Sequence, residues 1–190
     1  MASRTQIVCL HEGERGRSID PVFINSLLKA LKLPWVRPWK GSNVIRSVNG
    51  KGRKNLIEQM PKELKACLQA GGDTTLIVWA DLDDDMANGD ELVEAFRKVA
   101  RSNGVTDEEF KQVVFIFAKD RLENWIEYLM TGKTDETVEG PRLKHNREAV
   151  DAAKTLAERC KKQGVEPPLP PSLEWSCKNW RSLVKRMRDS

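Results

Sequence analysis

The stretch TTLIVWADLDDD, residues 74–85, joins a continuous apolar run to a cluster of aspartates. The run at residues 74–80 is rich in β-branched side chains and lacks polar alternation, which is typical of a strand buried on both faces of a sheet. Four aspartates follow it within five positions: Asp81, Asp83, Asp84 and Asp85. So much negative charge behind a buried strand indicates either a solvated turn or a site where a bound cation neutralises it.

The bulk composition is that of a globular protein. The 190 residues are 39% hydrophobic and 32% charged, which is enough apolar material for a sizeable core. The net charge of +4 allows a polyanionic partner without requiring one. The four cysteines form no CxxC pair, which argues against a zinc site or a disulfide framework and favours a reducing cytoplasm. We expect no membrane association, because the chain shows neither a signal peptide nor an apolar run of about 20 residues.

Apolar segments elsewhere in the chain have either strand-like or helix-like spacing. Further strands are predicted at residues 6–10, 43–48 and 112–118. Helices are predicted at residues 20–33, 56–68, 88–104 and 121–130, with two more near the C-terminus. Asp20 is a candidate cap of the first helix, and Pro61 is expected to delay the start of the second.

The order of these segments predicts the fold class. Alternating strands and helices indicate an α/β fold with a mainly parallel four-stranded sheet and helices on both faces. We assign this domain to residues 1–132. Residues 133–190 are predicted to form a C-terminal helical extension with a Pro-rich linker at residues 165–171.

Acidic side chains follow three of the predicted strands at the point where each strand ends. Glu12 and Glu14 come after the first strand, the aspartates of residues 81–85 after the third, and Glu123 after the fourth. The carboxyl ends of parallel strands meet at one edge of a sheet, where ligands bind, so these carboxylates should converge. Crowded carboxylates raise one another's pKa values, and a bound divalent cation removes that conflict. Oxygen ligands of this kind favour Mg²⁺ or Mn²⁺.

The segments VCLHEG, VWADLDD and KDRLENW together resemble the Toprim family of primases, topoisomerases and OLD-type nucleases. Glu12 matches the glutamate after the first strand of that family. Asp81 and Asp83 match its D-x-D pair, and they point the same way if the extended geometry persists. Glu123 resembles the acidic residue that OLD-type members carry at the start of a following helix. The resemblance covers roughly residues 7–130 and includes NVIRSVNGKGRKN, which is similar to the second strand and glycine-lysine turn of OLD-type proteins.

One segment departs from the family pattern. The residues after the glutamate, GERGRS, lack the acidic position that relatives often carry shortly after the glycine, and Glu14 is a candidate substitute. This departure leaves open whether one metal ion binds or two.

The resemblance implies metal-dependent phosphoryl transfer by a nuclease that acts on DNA or RNA with Mg²⁺ or Mn²⁺ as cofactor. In that mechanism Asp81 and Asp83 hold an ion, and Glu123 completes its ligand shell. Glu12 binds a second ion or acts as general base on the attacking water. Because the chain carries no ATP-binding motif, family analogy also implies a separately encoded ATPase as partner, in phage defence.

Basic side chains are the candidates for contacts with a nucleic acid. They are Arg15, Arg17, Arg37, Lys40, Lys51, Arg53, Lys54 and Lys119. Trp35 and Trp39 lie among them and either stack on bases or form a hydrophobic lid. The turn GKGRKN lacks the spacing of a P-loop, so its basic residues either contact phosphate or face solvent.

Each candidate site residue also has an interpretation without catalysis. Aspartates after a strand often form turns, and Glu12 alone is typical of a surface loop. Asp120 and Glu123 have the spacing of a capping box. A second hypothesis is therefore a non-catalytic interaction module that binds a basic partner at its acidic edge and assembles through its last helix. A third is a compact regulator with an unrelated α/β fold, and the oligomeric state stays open.

Overall fold

The computed structural model describes residues 7–12, 19–31, 45–70, 74–83, 85–86, 88–143, 145–161 and 169–188. Its elements are β1 (Ile7–His11), α1 (Asp20–Leu31), β2 (Ile45–Asn49), α2 (Arg53–Ala70), β3 (Thr75–Leu82), α3 (Gly89–Ser102), α4 (Asp107–Phe110), β4 (Val114–Lys119), α5 (Leu122–Thr131), α6 (Asn146–Lys161) and α7 (Pro171–Arg188). Most of the predicted Pro-rich linker lies outside the described residues. Within them, no helix has both the length and the apolar character needed to cross a bilayer.

The strands pair in parallel in the order β2-β1-β3-β4. Ile7 of β1 lies opposite Thr75 of β3, and Asp81 of β3 lies opposite Ala118 of β4. The predicted α/β class, with a parallel sheet and helices packed on it, is confirmed. This register brings the carboxyl ends of β1, β3 and β4 to one edge of the sheet, where the predicted site residues follow them.

Side chains of the central strands point alternately into two hydrophobic clusters, one on each face of the sheet. Trp79 enters the cluster covered by α1, α5 and α6, whereas Ala80 enters the cluster beneath α2 and α3. Trp79, in the apolar run predicted to be a buried strand, is 1% exposed. Its ring packs against Phe23 and Trp125, with centroid distances of 5.8 and 5.5 Å. Because both faces are covered, the central strand carries a continuous apolar sequence up to the acidic edge.

Two helix starts differ from the sequence-based expectations. α2 begins at Arg53, so the expectation that Pro61 delays its start is wrong. Pro61 is buried inside the helix, so α2 continues through a residue whose missing N–H removes one backbone hydrogen bond. α5 has Arg121 as its N-cap without a side-chain hydrogen bond, so the capping box of Asp120 and Glu123 is not formed. Asp120 lies one residue too early for that role and has a left-handed backbone with φ of 59°.

Helix α7 lies along the outer edge of β4 and hydrogen-bonds the strand backbone with its side chains. Ser176 Oγ accepts a hydrogen bond from Phe117 N and donates one to Phe117 O, both at 3.0 Å. Ser172 Oγ accepts one from Lys119 N, also at 3.0 Å. Four helical residues rise about 6 Å, and two strand residues span about 6.6 Å. The two hydroxyls therefore reach alternate residues of the strand, as a neighbouring strand would.

Apolar residues of α7 flank the same strand edge on both sides. Leu173 and Trp180 belong to the cluster on the α1 face. Trp175 packs against the opposite cluster and stacks on Phe117 with a centroid distance of 5.1 Å. Residues beyond position 133 thus complete both clusters of the sheet, and α7 covers an edge that would otherwise be open to pairing with another strand.

Replacing Ser176 by alanine removes both hydrogen bonds to Phe117 and leaves two buried backbone groups without partners. We expect Ser176→Ala to lower the free energy of unfolding by about 1–3 kcal/mol, measured by urea denaturation. The control is Ser102→Ala, which removes a hydroxyl that donates to Val99 O at an exposed helix end. For Ser102→Ala we expect the free energy of unfolding to change by no more than about 0.5 kcal/mol. Equal losses in the two variants would contradict the proposed role of Ser176 at the strand edge.

Candidate acidic site at the carboxyl edge of the sheet

Asp81, one residue before the end of β3, is half-buried at the centre of the acidic edge. Its backbone N–H donates to Glu12 Oε2 at 3.5 Å, so the ends of β1 and β3 meet as the parallel fold requires. In the described part of the protein, Asp81 Oδ1 is buried and has no hydrogen-bond donor. An enclosed acceptor without a donor is unfavourable unless a proton or a cation reaches it.

The surroundings of Asp81 strongly disfavour its charged form. Its pKa is raised from 3.8 to about 8. Burial is the largest cause, and the carboxylates of Asp20, Glu12 and Glu123 add to it, whereas Arg53 opposes it. Such charge interactions require these groups to lie near one another, although they come from separate elements of the chain. Glu12 and Glu123 thus lie within electrostatic range of Asp81, but the described residues do not form a set of three ligands close enough to hold a metal ion.

Asp20 belongs to this site and was expected only to cap a helix. It is the first residue of α1, is 8% exposed, and is the carboxylate with the largest effect on the pKa of Asp81. The sequence did contain a usable signal. An aspartate at the start of the helix that follows β1 lies at the same edge of the sheet as residues at the strand ends.

Arg53, the first residue of α2, supplies positive charge to the acidic edge. Its Nη1 forms an ion pair with Asp83 Oδ2, and its Nη2 donates to the carbonyl oxygen of Asp81 at 2.5 Å. The same Nη2 lies 3.8 Å from Glu12 Oε2. Arg53 was predicted to contact nucleic acid, but here its guanidinium bridges β1 and the end of β3. Its planar group with several donors suits this bridging of carboxylate and carbonyl oxygens.

Asp81 and Asp83 are in different environments despite their D-x-D spacing. Asp83 follows the last residue of β3, Leu82, and its side chain is 60% exposed. Asp81 is still within the strand and is enclosed by neighbouring elements. The pair therefore offers one half-buried and one exposed carboxylate rather than two equivalent ones.

Glu123 lies in the first turn of α5, beside a second carboxylate. Burial is the main cause that raises its pKa, and Asp120 and Glu139 raise it further, while a backbone hydrogen bond and Arg121 lower it. Asp120 Oδ2 is buried without a hydrogen bond and lies 3.7 Å from Arg121 Nε. Negative charge therefore accumulates on the β4 side of the edge as well.

The predicted nucleic-acid contacts are only partly within the described residues. Four of the predicted basic contacts lie outside the described residues: Arg15, Arg17, Arg37 and Lys40. Four other candidate residues also lie outside them: Glu14, Trp35, Trp39 and Asp84. Lys51 and Lys54 are exposed at the start of α2. The ammonium of Lys119 donates to the carbonyl oxygen of Asp83 at 2.7 Å. Of the described candidates, Arg53 and Lys119 thus bind the edge itself, and Lys51 and Lys54 face solvent.

The donor set of the edge fits a divalent cation in its chemistry. Carboxylate and carbonyl oxygens are the ligands of Mg²⁺ and Mn²⁺, and the buried Asp81 Oδ1 has no hydrogen-bond partner in the part of the chain that the structure describes. Among the described residues, however, no three Asp, Glu, His or Cys side chains already lie close enough together to hold a metal ion. In the arrangement described, the countercharge comes from Arg53.

Comparisons with known proteins do not assign the chain to a family. No family model, no curated protein and no solved structure matches it. The resemblance to the Toprim family therefore stays a hypothesis that depends on the quoted motifs and on the geometry of the acidic edge.

The raised pKa of Asp81 predicts that this carboxyl group destabilises the protein more as pH rises. Between the unfolded value of 3.8 and the folded value of about 8, the folded state holds a proton that the unfolded chain has released. We expect Asp81→Asn to remove this loss. The free energy of unfolding of the variant should equal that of wild type near pH 4 and exceed it by at least about 2 kcal/mol near pH 8.

The measurement is urea denaturation across this pH range with EDTA in the buffer. Asp85→Asn, which replaces an exposed aspartate of the same segment, is the control. A difference in free energy of unfolding between wild type and Asp81→Asn that does not grow with pH would contradict the raised pKa of Asp81.

Proposed function

We propose that this chain is a cytoplasmic, Toprim-like nuclease whose four-stranded sheet presents a site for Mg²⁺ or Mn²⁺ at its carboxyl edge. The observation that carries the proposal is the environment of Asp81. Its side chain is half-buried, its buried Oδ1 has no donor among the described residues, and the carboxylates of Asp20, Glu12 and Glu123 raise its pKa. A protein that holds unfavourable negative charge at a ligand-binding edge gains from a cation there.

Each acidic residue has a role that its position supports. Asp81 and Asp83 would bind the metal ion through carboxylate oxygens. Asp81 would bind it from inside the edge, and Asp83 from the solvent side. Glu12, whose Oε2 already lies against Asp81 N, would act as general base toward water or as a further ligand. Glu123 would add negative charge on the opposite side. When bound, the ion supplies electrostatic stabilisation to a phosphoryl group in transfer.

Contact with the nucleic acid backbone is assigned to basic groups beside the acidic edge. Lys51 and Lys54 are exposed in the turn and first helical residues after β2, so both are accessible to phosphate. Phosphate contacts of this kind position the substrate without reading its sequence. A separately encoded ATPase as partner, in phage defence, is part of the proposal by family analogy alone.

Titration calorimetry with Mg²⁺ and Mn²⁺ tests the metal site directly. We expect wild type to bind a divalent cation and Asp81→Asn to bind at least about tenfold more weakly, because a charged oxygen ligand is lost. Asp107→Asn is the matched control, since this exposed aspartate of α4 pairs with Arg101 of α3 instead. The proposal fails if wild type binds neither ion.

Cleavage assays on plasmid DNA and on RNA test the activity. We expect metal-dependent cleavage by wild type, and a loss of about 10²-fold or more in Glu12→Gln and Asp83→Asn. The Asp107→Asn control should cleave as wild type does. Cleavage that persists equally in both acidic variants would exclude these residues from the chemistry.

The position of Arg53 favours a second candidate function, a non-catalytic interaction module. Its guanidinium already contacts Asp83, the carbonyl of Asp81 and, at a longer distance, Glu12. A resident arginine can replace the metal ion of an active ancestor and leave an acidic edge with a structural role. The edge would then bind a basic partner protein.

Arg53→Gln separates the two functions. If Arg53 is the permanent countercharge of a module, the variant loses about 2 kcal/mol of stability, and neither it nor wild type binds Mg²⁺. If the edge is a metal site, removing the competing guanidinium leaves Mg²⁺ affinity equal or higher. Lys54→Gln, the neighbouring exposed position, is the control for loss of charge. Denaturation and calorimetry on the same samples give both readouts.

A further inference from the structure

Lys119, the last residue of β4, holds the segment that carries Asp83. Its ammonium donates to Asp83 O at 2.7 Å and to Met86 O at 2.8 Å. Met86 N in turn donates to Asp83 O at 3.0 Å. We name the described residues Asp83, Asp85 and Met86 the acidic turn. A half-buried ammonium that spends two donors on carbonyl oxygens acts as a crosslink across this turn.

Helix α7 fixes the backbone of Lys119 through Ser172. The hydroxyl of Ser172 accepts from Lys119 N at 3.0 Å and from Trp125 Nε1 at 2.7 Å, and it donates to Glu136 Oε1. Glu136 Oε2 also accepts from Ser172 N at 3.0 Å, which places a carboxylate at the N-terminus of α7. A hydroxyl has one donor and two acceptor positions, and all three are used here. The buried Ser172 therefore has one favourable orientation, and it joins α7, α5 and β4.

A second contact from α7 reaches the chain beyond the acidic turn. Trp175 Nε1 donates to Asp90 Oδ1 at 3.0 Å in the first turn of α3. The Trp175 ring also lies close to Gly89, since a Cβ atom there would come within 2.5 Å of it. The acidic turn is thus held by Lys119 of β4, and the helix start that follows the turn in the chain packs on α7.

We propose that Lys119 is a positioning residue of the acidic edge and that α7, through Ser172, sets its place. In this arrangement the C-terminal helix determines where the Asp83 carboxylate lies. Any effect on metal binding rests on the proposed function. The hydrogen-bonded link from Ser172 through Lys119 to the acidic turn does not depend on it. Lys119 acts through the acidic turn and is not assigned to contact substrate.

Amide hydrogen exchange followed by NMR on the metal-free protein tests this link. The reporter is the amide of Met86, which donates to Asp83 O. Lys119→Met removes the ammonium donors and keeps the length of the side chain, and Ser172→Ala removes the hydroxyl. We expect the Met86 amide to exchange about fivefold faster in both variants and to return to the wild-type rate in Lys119→Arg.

The control for α7 docking in general is Asn179→Ala. It removes a hydrogen bond from Asn179 Nδ2 to Phe115 O, 3.1 Å long, farther along the same helix and strand. The Val78 amide in the central strand reports global opening, and the rise at Met86 is taken relative to the change at Val78 in the same variant. An unchanged Met86 rate in Lys119→Met, or an equal rise in Asn179→Ala, overturns the proposal. Calorimetry with Mg²⁺ on the same variants then tests the metal site separately, because the exchange result stands without it.

Discussion

The parallel pairing of β1 with β3 is the constraint on which the rest of this structure depends. It places the end of β1 beside the end of β3, so that Glu12 Oε2 meets the backbone N–H of Asp81. Residues that are 69 positions apart then share one edge. The apolar strands provide the driving force, because both of their faces are buried by helices. The acidic edge is a consequence of this burial, since charged residues follow where the apolar runs end.

At that edge two opposing electrostatic effects meet. Burial and neighbouring carboxylates raise the pKa of Asp81, while the guanidinium of Arg53 lowers it. The net result is a carboxyl group whose pKa is about 8, so carboxylate repulsion and burial outweigh the arginine. The balance explains why the same residues support two functional proposals. A cation completes the site in one, and in the other the arginine is the resident countercharge.

The C-terminal helices are integral to the sheet. Helix α7 satisfies the outer backbone groups of β4 with Ser172 and Ser176, and Leu173 and Trp180 enter the core on one face. Because Ser172 also fixes Lys119, the packing of α7 and the geometry of the acidic turn are linked by one hydroxyl group. An edge strand covered in this way is protected from pairing with other chains.

The sequence by itself determined the α/β class, the core position of Trp79 and the acidic residues at the strand ends. These features follow from local patterns of burial, which each segment displays independently of its partners. Only the tertiary structure revealed that Asp20 adds to the pKa of Asp81 and that Arg53 and Lys119 bind the edge itself. It also decided that α7 covers β4. Such facts depend on the directions of side chains from distant segments, and no local pattern encodes where two elements far apart in the chain will meet.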